Sequence, residues 1–393
     1  MSEVLLRYHY TPEIERIDIY QRLGGYQALQ KAIRIGAAAV IESVDKSGLR
    51  GRGGAGFPTA RKWRAVQSQD RTPHYFICNI AEGEPGSFKD RELTKNPHMV
   101  LEATAIAALA IGAEKAFIYL RGLYSQEERL LKHALIQARN SKLLPVEIVI
   151  HRGEDTYVVG EETAMMESLE GRRAIPRVKP PRPHESGLWE CPTVINNVET
   201  ICNVIPILLN GPESFRKWGT SESPGTKLFC LSGQITRPGL YECPLGIPLS
   251  TLLNEVGGGA LPGRNFVAIF PGGPSTPIVP FELNPTMDFE GLEKAGSHLG
   301  TGGIIVMDDS ADLAQVAIET LSFFMRESCG ECPPCTIGTT ELHKLFQSRA
   351  PDRILKIREF CEMMKYRGQC GHSRAAALTS LSFLSRFPQV FHS

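Results

Sequence analysis

The sequence predicts an α/β protein with a mostly parallel sheet, followed by a small mixed β segment and a helical C-terminal region. The first observation is a set of short apolar runs typical of buried strands, at His74–Asn79, Ala116–Leu120 and Val146–His151. The second is that these runs alternate with helical patterns of apolar residues, at Gln27–Val44, Asn96–Gly112 and Gln126–Asn140. Alternating strands and helices are typical of a parallel sheet covered by helices.

The third observation is a change of composition after the Pro-rich stretch 176–192, which we interpret as an extended loop. Gly and Pro then surround two short strand patterns, Lys227–Gln234 and Val267–Phe270, with a helical pattern at Leu249–Val256 between them. This segment has about the length of a small domain. A helical pattern at Asp312–Ser328 begins the last region, which we predict to stay helical to the C-terminus.

Length and charge narrow the function classes. At 393 residues the chain exceeds the usual size of a single core, so we expect two or three domains. Its 43 basic and 43 acidic residues cancel, which gives no support to nucleic-acid or membrane-surface binding. No apolar run approaches the roughly 18 residues that membrane insertion needs, and the N-terminal stretch has no signal-peptide pattern. We therefore expect a cytoplasmic, reducing environment.

Half of the ten cysteines crowd the last fifth of the chain. Cys329, Cys332 and Cys335 form a C-x-x-C-x-x-C run, and three thiolates at this spacing can converge on one iron–sulfur cube. The fourth ligand must come from elsewhere, with Cys361 and Cys370 as candidates. Structural zinc sites usually use two C-x-x-C or Cys/His pairs, and the sequence has no second pair, so the pattern favours iron–sulfur over zinc.

A glycine-rich loop at 51–56 (GRGGAG) matches the dinucleotide-binding expression G-x-G-x-x-G. That fingerprint requires a strand directly before the loop, whereas the preceding segment is predicted to be helical. Backbone N–H groups of such a loop can still bind a phosphate, with Arg52, Arg61 and Lys62 supplying positive charge. An ordinary surface loop is an equally good interpretation of this motif alone.

Two carboxylate pairs follow predicted strand patterns, Glu82 with Glu84 and Glu161 with Glu162. Carboxylates at the end of a strand lie where open α/β sheets bind ligands, and they accept hydrogen bonds from ribose hydroxyls or a carboxamide. Taken singly, a Glu beside a loop is more often solvated than ligating.

Taken together, these motifs resemble one family, the NADH-binding flavoprotein subunit of respiratory complex I with its relatives in NAD-linked hydrogenases and formate dehydrogenases. The resemblance lies in segments 48–59 with Lys62-Trp63, 82–91, 160–164, 168–171, 196–200 and 328–335, and in the late Cys370. It implies three domains: an FMN- and nucleotide-binding α/β domain at 1–220, a ubiquitin-like β-grasp domain at 221–305, and a helical [4Fe–4S] domain at 306–393.

The resemblance also implies a set of site residues. It selects Cys370 over Cys361 as the fourth ligand beside Cys329, Cys332 and Cys335. Glu82, Glu84 and Tyr157 would surround the flavin ring as catalytic residues. Phe57, Lys179 and Arg182 would contact NAD(H) or NADP(H). The residues that would hold FMN are Gly51, Arg52, Gly53, Gly54, Lys62, Asn79, Gly160, Glu161, Glu162, Asn196, Asn197 and Thr200.

The function implied is that of an oxidoreductase subunit that passes electrons from NAD(P)H through FMN to a [4Fe–4S] cluster and on to partners. These would be a thioredoxin-like [2Fe–2S] subunit and a larger iron–sulfur subunit, in the cytoplasm or as a peripheral part of a membrane-associated complex. We expect no nucleic-acid partner. Two further expectations are that Trp63 packs behind the flavin loop and that His372 lies at the surface.

Three positions depart from the family's pattern. Ala81 replaces an acidic residue before Glu82, whereas Ala65 and Arg182 replace aromatic rings that stack on adenine. Weak NADH binding, a preference for NADPH through Arg182, and loss of the nucleotide site all stay open. The alternative function is electron transfer through FMN and [4Fe–4S] alone, with a protein donor such as ferredoxin in place of the nucleotide.

Overall fold

The computed structural model describes residues 4–391. The outer limits of the first and third predicted domains, at residues 1 and 393, lie outside this part of the chain. Within it, none of the helices combines the length and apolar character that crossing a lipid bilayer requires.

The first sheet has four parallel strands in the order β3-β2-β1-β4. They span His74–Ile80 (β1), Ala113–Leu120 (β2), Glu147–Arg152 (β3) and Thr193–Asn197 (β4). The predicted parallel sheet is confirmed, although β4 was not predicted. Its five residues are fully or partly buried and follow directly on the Pro-rich loop, so they show neither alternation nor a long apolar run.

Helices cover both faces of this sheet. The predicted single helix Gln27–Val44 is two helices, because Gly36 adopts a φ of +82° between them. The helix after the break ends at Ser47, so a helix, as expected, precedes the glycine-rich loop. The helices of this region are α1 (Ile17–Arg22), α2 (Gln27–Ile35), α3 (Ala37–Ser47), α4 (Thr59–Gln67), α5 (Lys89–Leu93), α6 (Pro97–Ala110), α7 (Ser125–Asn140), α8 (Glu162–Leu169), α9 (Val198–Cys202), α10 (Val204–Asn210) and α11 (Pro212–Arg216).

The second sheet has five strands in the order β6-β5-β9-β7-β8, with β5 parallel to β9 and the other neighbours antiparallel. This mixed sheet fits the expected β-grasp domain. Strands β6, β8 and β9 were not predicted, and the predicted helix Leu249–Val256 is α12 followed by a π-helical turn. The elements are β5 (Thr226–Gly233), β6 (Gly239–Pro244), α12 (Leu249–Thr251), β7 (Phe266–Phe270), β8 (Val279–Pro280), α13 (Phe289–Lys294) and β9 (Gly303–Asp308).

The C-terminal region is helical, as predicted. Asp312 caps its first helix by accepting hydrogen bonds from the backbone N–H groups of Ala314 and Gln315. The helices are α14 (Leu313–Arg326), α15 (Pro333–Gln347), α16 (Arg353–Arg367) and α17 (Gly371–Arg386). The boundary predicted at residue 305 falls inside β9, the central strand of the second sheet, and we therefore place it after Asp308.

The three regions meet where β1 ends. The loop between β1 and α5 contacts the second sheet, where the N–H of Phe88 donates to the Cys230 sulfur at 3.3 Å. The short turn Tyr157–Gly160 contacts the C-terminal region, because the N–H of Tyr157 donates to Glu327 at 3.0 Å. The carboxyl edge of the first sheet is thus enclosed by all three regions.

Candidate functional site

A cavity of about 430 Å³ lies at this carboxyl edge. Its size is within the range of cofactor sites, and its place is the one where open α/β sheets bind ligands. Its lining comes from the glycine-rich loop, the end of β1 and the loop after it, the start of α5, the end of β4, the turn 157–160, the second domain and the start of α17. The lining residues are Gly53, Ala55, Asn79, Ala81, Glu82, Gly83, Glu84, Lys89, Asp90, Tyr157, Val158, Gly160, Glu161, Asn197, Thr301, Cys370, Gly371 and His372.

Missing side chains shape part of this cavity. A Cβ atom at Gly53 would stand 2.9 Å from the Cβ of Asn197, closer than real Cβ atoms approach. A Cβ at Gly160 would stand 3.1 Å from the carbonyl oxygen of Ala81. Backbone therefore comes close to the cavity on two sides, which suits a flat ring and a phosphate bound through backbone N–H groups.

Glu82 is a buried carboxylate in the cavity wall. Its oxygens accept from the Ser87 hydroxyl at 2.5 Å and from the Asp90 N–H at 3.0 Å. Burial, and then the negative charge of Asp90, raises the pKa of Glu82 to about 7. The sequence showed the carboxylate and its place after β1, whereas its burial follows from the enclosing domains.

Glu84 connects the cavity to the second domain. The Tyr157 hydroxyl donates to Glu84 at 2.7 Å, and the N–H of Ser275 in the second domain donates to it at 2.8 Å. Burial raises the pKa of Glu84 in spite of these hydrogen bonds. The three residues predicted to be catalytic, Glu82, Glu84 and Tyr157, thus lie together on the cavity wall.

Four of the predicted FMN residues also line the cavity besides Gly53: Asn79, Gly160, Glu161 and Asn197. The other seven lie outside its lining. Two of these seven bind residues that lie behind the cavity. Thr200 accepts a hydrogen bond from the Arg52 N–H at 2.8 Å, and Asn196 accepts one from the Trp63 indole N–H at 2.7 Å. Trp63 is fully buried, as expected for packing behind the loop.

Arg52 differs from the prediction that it supplies charge to a phosphate. Its guanidinium is buried and points to the second domain, where it donates to the Pro224 carbonyl at 2.7 Å. Its Nε and one terminal nitrogen have no hydrogen-bond partner among residues 4–391. Gly51 and Gly54 belong to the same loop and contribute no lining.

Two lysines and two glutamates form an ion-paired group beside the cavity. Lys179 contacts Glu161 at 2.9 Å and Glu162 at 2.8 Å, and Lys62 contacts Glu162 at 3.2 Å. Glu161 also caps α8 by accepting from the N–H groups of Thr163 and Ala164. Lys62 and Glu162 therefore lie next to a lining residue without lining the cavity themselves.

Phe57 and Arg182, the other predicted nucleotide residues, are exposed. Phe57 is 44% exposed, and the Arg61 guanidinium lies 5.7 Å from its ring centre. The backbone N–H of Arg182 donates to Glu185 at 2.8 Å, and the residue itself is exposed. The described residues thus place Lys179 against the carboxylates near the cavity, and leave the two others at the surface.

Lys89 and Asp90 line the cavity although neither was predicted to bind. Lys89 contacts Asp90 at 2.5 Å and Glu199 at 3.1 Å, and all three side chains are buried. Asn197 joins them by donating to Asp90. The motif 82–91 contains both residues, but a lysine next to an aspartate is normally solvated, and only the fold shows that this pair is buried.

The four predicted cluster ligands line a second, enclosed cavity. Cys332 precedes α15, Cys335 lies in its first turn, and Cys370 precedes α17, so that two helix N-termini point at this space. The positive end of a helix stabilises thiolates, and Pro333 and Pro334 begin α15 without needing N–H partners. Cys329 completes the set, whereas Cys361 is buried in α16 and is absent from the lining.

The donor chemistry of these thiols fits a [4Fe–4S] cube, which takes each of four thiolates on a different iron. Structural zinc sites usually use two C-x-x-C or Cys/His pairs, and the sequence has no second pair beside the C-x-x-C-x-x-C run.

The two cavities share a wall made of Val158, Cys370 and His372. His372 was expected at the surface, but it is only 8% exposed, and its ring Nε2 bonds the Phe324 carbonyl at 2.8 Å. Groups bound in the two cavities would be separated by a single layer of side chains, one of which is a predicted cluster ligand.

Comparisons with known proteins agree with this geometry. Residues 44–206 match the Nuo51 FMN-binding domain, residues 228–279 match the SLBB domain, and residues 315–393 match the NADH-ubiquinone oxidoreductase-F iron-sulfur binding region. The chain is 48% identical to the second F subunit of NADH-quinone oxidoreductase from Rhizobium meliloti, over 85% of this chain and 82% of the relative. The chain belongs to the family of NADH-quinone oxidoreductase F subunits.

A further sequence relative and a solved structure extend the match. The NADH-quinone oxidoreductase F subunit of Aquifex aeolicus is 39% identical over 98% of this chain and 93% of its own length. A crystal structure of NAD+-reducing [NiFe]-hydrogenase in the H2-reduced state superposes with a TM-score of 0.88 and 34% identity. That match covers 99% of this chain and 66% of the hydrogenase chain. The expected family, the three-part fold and the two cofactors, FMN and [4Fe–4S], are confirmed.

Burial of Glu82 makes the stability of the folded protein depend on pH. Replacement by glutamine, which does not titrate, should remove this dependence. The pKa of Glu82 is raised in the folded protein. Its contribution to the free energy of unfolding is therefore fully present below pH 4.5, the pKa of the unfolded chain, and is lost as pH rises through about 7. The free energy of unfolding of Glu82→Gln, relative to that of the parent, should therefore rise by up to about 3 kcal/mol from pH 5 to pH 8. Urea unfolding of both proteins at the two pH values measures this difference. Glu293→Gln, at an exposed position, serves as control, and equal behaviour of the two variants would contradict the assignment.

Proposed function

We propose that this chain oxidises a nicotinamide nucleotide and passes the electrons through FMN and a [4Fe–4S] cluster to partner subunits. The observation that carries the proposal is the shared wall between the glycine-lined cavity and the four-cysteine cavity. When bound, FMN accepts a hydride and gives up electrons one at a time, which is chemistry that no side chain here supplies. The polypeptide binds, orients and encloses the reactants.

Each group of residues has a separate task in this proposal. Gly53 and Asn197 shape the floor on which FMN lies, and Asn79 and Gly160 hold one another across the opposite side through a hydrogen bond of 3.1 Å. Glu82, Glu84 and Tyr157 face the reacting ring and the nicotinamide. Asn196 and Thr200 bind Trp63 and Arg52 behind this floor, Lys62 and Glu162 lie beside it, and Gly51 and Gly54 belong to the same loop as Gly53.

The nucleotide site is proposed at Lys179, with Phe57 and Arg182 at its outer edge. Lys179 holds Glu161 and Glu162 in place, and both carboxylates can accept hydrogen bonds from ribose hydroxyls. An exposed guanidinium at Arg182 can bind a phosphate or stack on a base. Which nucleotide the chain prefers depends on these exposed groups.

Substitutions at Lys179 and Arg182 separate the two nucleotides. We expect Lys179→Met to weaken both NADH and NADPH about tenfold, because it frees two carboxylates that the lysine neutralises. Arg182→Ala is expected to weaken NADPH about tenfold and to leave NADH within twofold, because only NADPH carries the additional 2′-phosphate that this guanidinium would bind. Anaerobic titration of the flavin absorbance measures both affinities.

Arg129→Ala, an exposed position on α7, is the control and should change neither affinity. A parent protein that retains FMN but binds neither nucleotide would reject the nucleotide site. It would favour the alternative in which a protein donor such as ferredoxin supplies the electrons, as the departures at Ala65, Ala81 and Arg182 allow.

We further propose that the electrons leave to a thioredoxin-like [2Fe–2S] subunit and a larger iron–sulfur subunit. The names of the relatives support the presence of further subunits, since each is named as one subunit of an oxidoreductase. The proposed location is the cytoplasm, including as a peripheral part of a membrane-associated complex. The proposed domain limits are 1–220, 221–308 and 309–393.

A further inference from the structure

Lys227 is a buried lysine of the second domain that contacts the FMN domain. It lies in β5, and its side chain is fully enclosed. Its ammonium donates to a Glu199 carboxylate oxygen at 2.6 Å and to the Arg52 carbonyl oxygen at 3.1 Å. One cation thus connects the second domain to two separate segments of the first.

Glu199 carries this contact towards the cavity. Its carboxylate lies between two ammonium groups, Lys227 and Lys89, and it also accepts from the Leu228 N–H at 2.8 Å. Lys89 in turn lines the cavity, where it contacts Asp90 and the side-chain oxygen of Asn197 at 3.3 Å. Lys227 and Lys89 therefore share the Glu199 carboxylate, and Lys89 continues this chain of charges to the cavity.

The second contact of Lys227 holds the glycine-rich loop. Arg52 has its N–H bound to Thr200, its carbonyl bound to Lys227 and its guanidinium bound to Pro224. The next residue, Gly53, lines the cavity. The loop residue directly before the cavity is therefore fixed from three sides, and Lys227 supplies one of them.

The surroundings leave little freedom for this lysine. A Cβ at Gly302 would stand 3.1 Å from the Lys227 Cε, so glycine at that position makes room for the chain. Burial lowers the pKa of Lys227 to about 8, and Glu199 opposes that change. Burial alone would raise the pKa of Glu199, but Lys227 and Lys89 hold it below its usual value. The group is built to stay ionised near neutral pH.

We propose that Lys227 is a positioning residue through which the second domain sets the reduction potential of the bound flavin: its positive charge, set against the negative charge of Glu199, acts on the cavity where it adjoins Lys89 and the glycine-rich loop. The inference rests on FMN occupying that cavity. Reduction adds negative charge to the flavin, so a positive charge nearby favours the reduced form and a negative charge opposes it. The second domain would then influence the reduction potential of the flavin as well as pack against the first domain.

Opposite charge changes at this group provide the test. Lys227→Met removes a positive charge and is expected to weaken reduced relative to oxidised FMN about tenfold, which lowers the two-electron potential by about 30 mV. Glu199→Gln removes the negative charge from the same contact and is expected to raise the potential by a similar amount. Spectroelectrochemical titration of the flavin in the complete, cofactor-loaded protein at pH 7 measures both.

Lys294→Met removes the same charge from an exposed position of the second domain and should leave the potential unchanged. Shifts of the same sign in K227M and E199Q would show a loosened fold rather than a charge effect and would overturn the proposal. So would shifts no larger than that of K294M. If K227M gives no folded protein, E199Q decides alone: a rise supports the proposal and any other result rejects it.

The two proposals fail in different ways. A parent protein that cannot be loaded with FMN rejects the proposed function before any variant is compared. A parent protein that binds FMN, with variants whose potentials do not move as described, rejects only the role of Lys227.

Discussion

Replacing Cys335 by alanine is expected to remove the iron–sulfur cluster and to leave FMN in place. Cys335 lies buried in the first turn of α15 and lines the four-cysteine cavity, but it does not line the larger cavity. Three remaining thiolates cannot ligate all the irons of the cube. Iron should fall from about four atoms per chain to a trace, while flavin content stays that of the parent. Iron and flavin analysis of protein purified without oxygen measures both.

Cys361→Ala is the matched control. Cys361 is also a buried cysteine of the C-terminal region, but it packs within α16 and takes no part in the cavity lining. Its loss leaves a small void, which costs about 1–2 kcal/mol of stability, and iron content should not change. Loss of iron in the Cys361 variant together with retention in a Cys370→Ala variant would reverse the choice of the fourth ligand.

Replacing Gly53 by alanine is expected to weaken FMN binding about 100-fold, or by about 2.8 kcal/mol. The added Cβ would stand 2.9 Å from the Cβ of Asn197, so either the loop or β4 must move. Either movement displaces backbone that lines the cavity. The cluster cavity contains neither residue, so iron content should be retained. Reconstitution of flavin-free protein with FMN, followed by fluorescence, measures the dissociation constant.

Gly51→Ala tests whether this loss is specific to the cavity floor. A Cβ at Gly51 meets only ordinary contacts at 3.6 Å or more, and its φ is not positive. We therefore expect a change in FMN affinity of less than about tenfold, although the family resemblance places Gly51 among the FMN residues. A larger loss in the Gly51 variant than in the Gly53 variant would contradict the assignment of the floor.

The features that sequence predicted best are those set by local spacing. The run Cys329, Cys332 and Cys335 indicated a cluster because ligand spacing is a property of a few neighbouring residues. The strand before Glu82 and Glu84 was visible because an apolar run ends directly before the carboxylates. The family resemblance then supplied Cys370, which local spacing could not distinguish from Cys361.

The features that sequence did not predict depend on contacts between distant segments. His372 was expected at the surface, since nothing in the residues around it shows that α14 covers it. Arg52 stands in a loop whose composition suits a phosphate, but packing against the second domain turns its guanidinium towards Pro224. Lys89, Glu199 and Lys227 come from three segments, and the pair between Glu199 and Lys227 forms only when the second domain packs against the first.

Freeze-quench EPR after anaerobic mixing with NADH or NADPH tests the central claim most directly. In protein loaded with FMN and iron, we expect the flavin absorbance to bleach and the signal of a reduced [4Fe–4S] cluster to follow, because the two cavities share a wall of Val158, Cys370 and His372. Cluster reduction should be lost in Cys335→Ala while bleaching remains. If the flavin of the loaded protein bleaches but no signal of a reduced cluster follows, the account is contradicted.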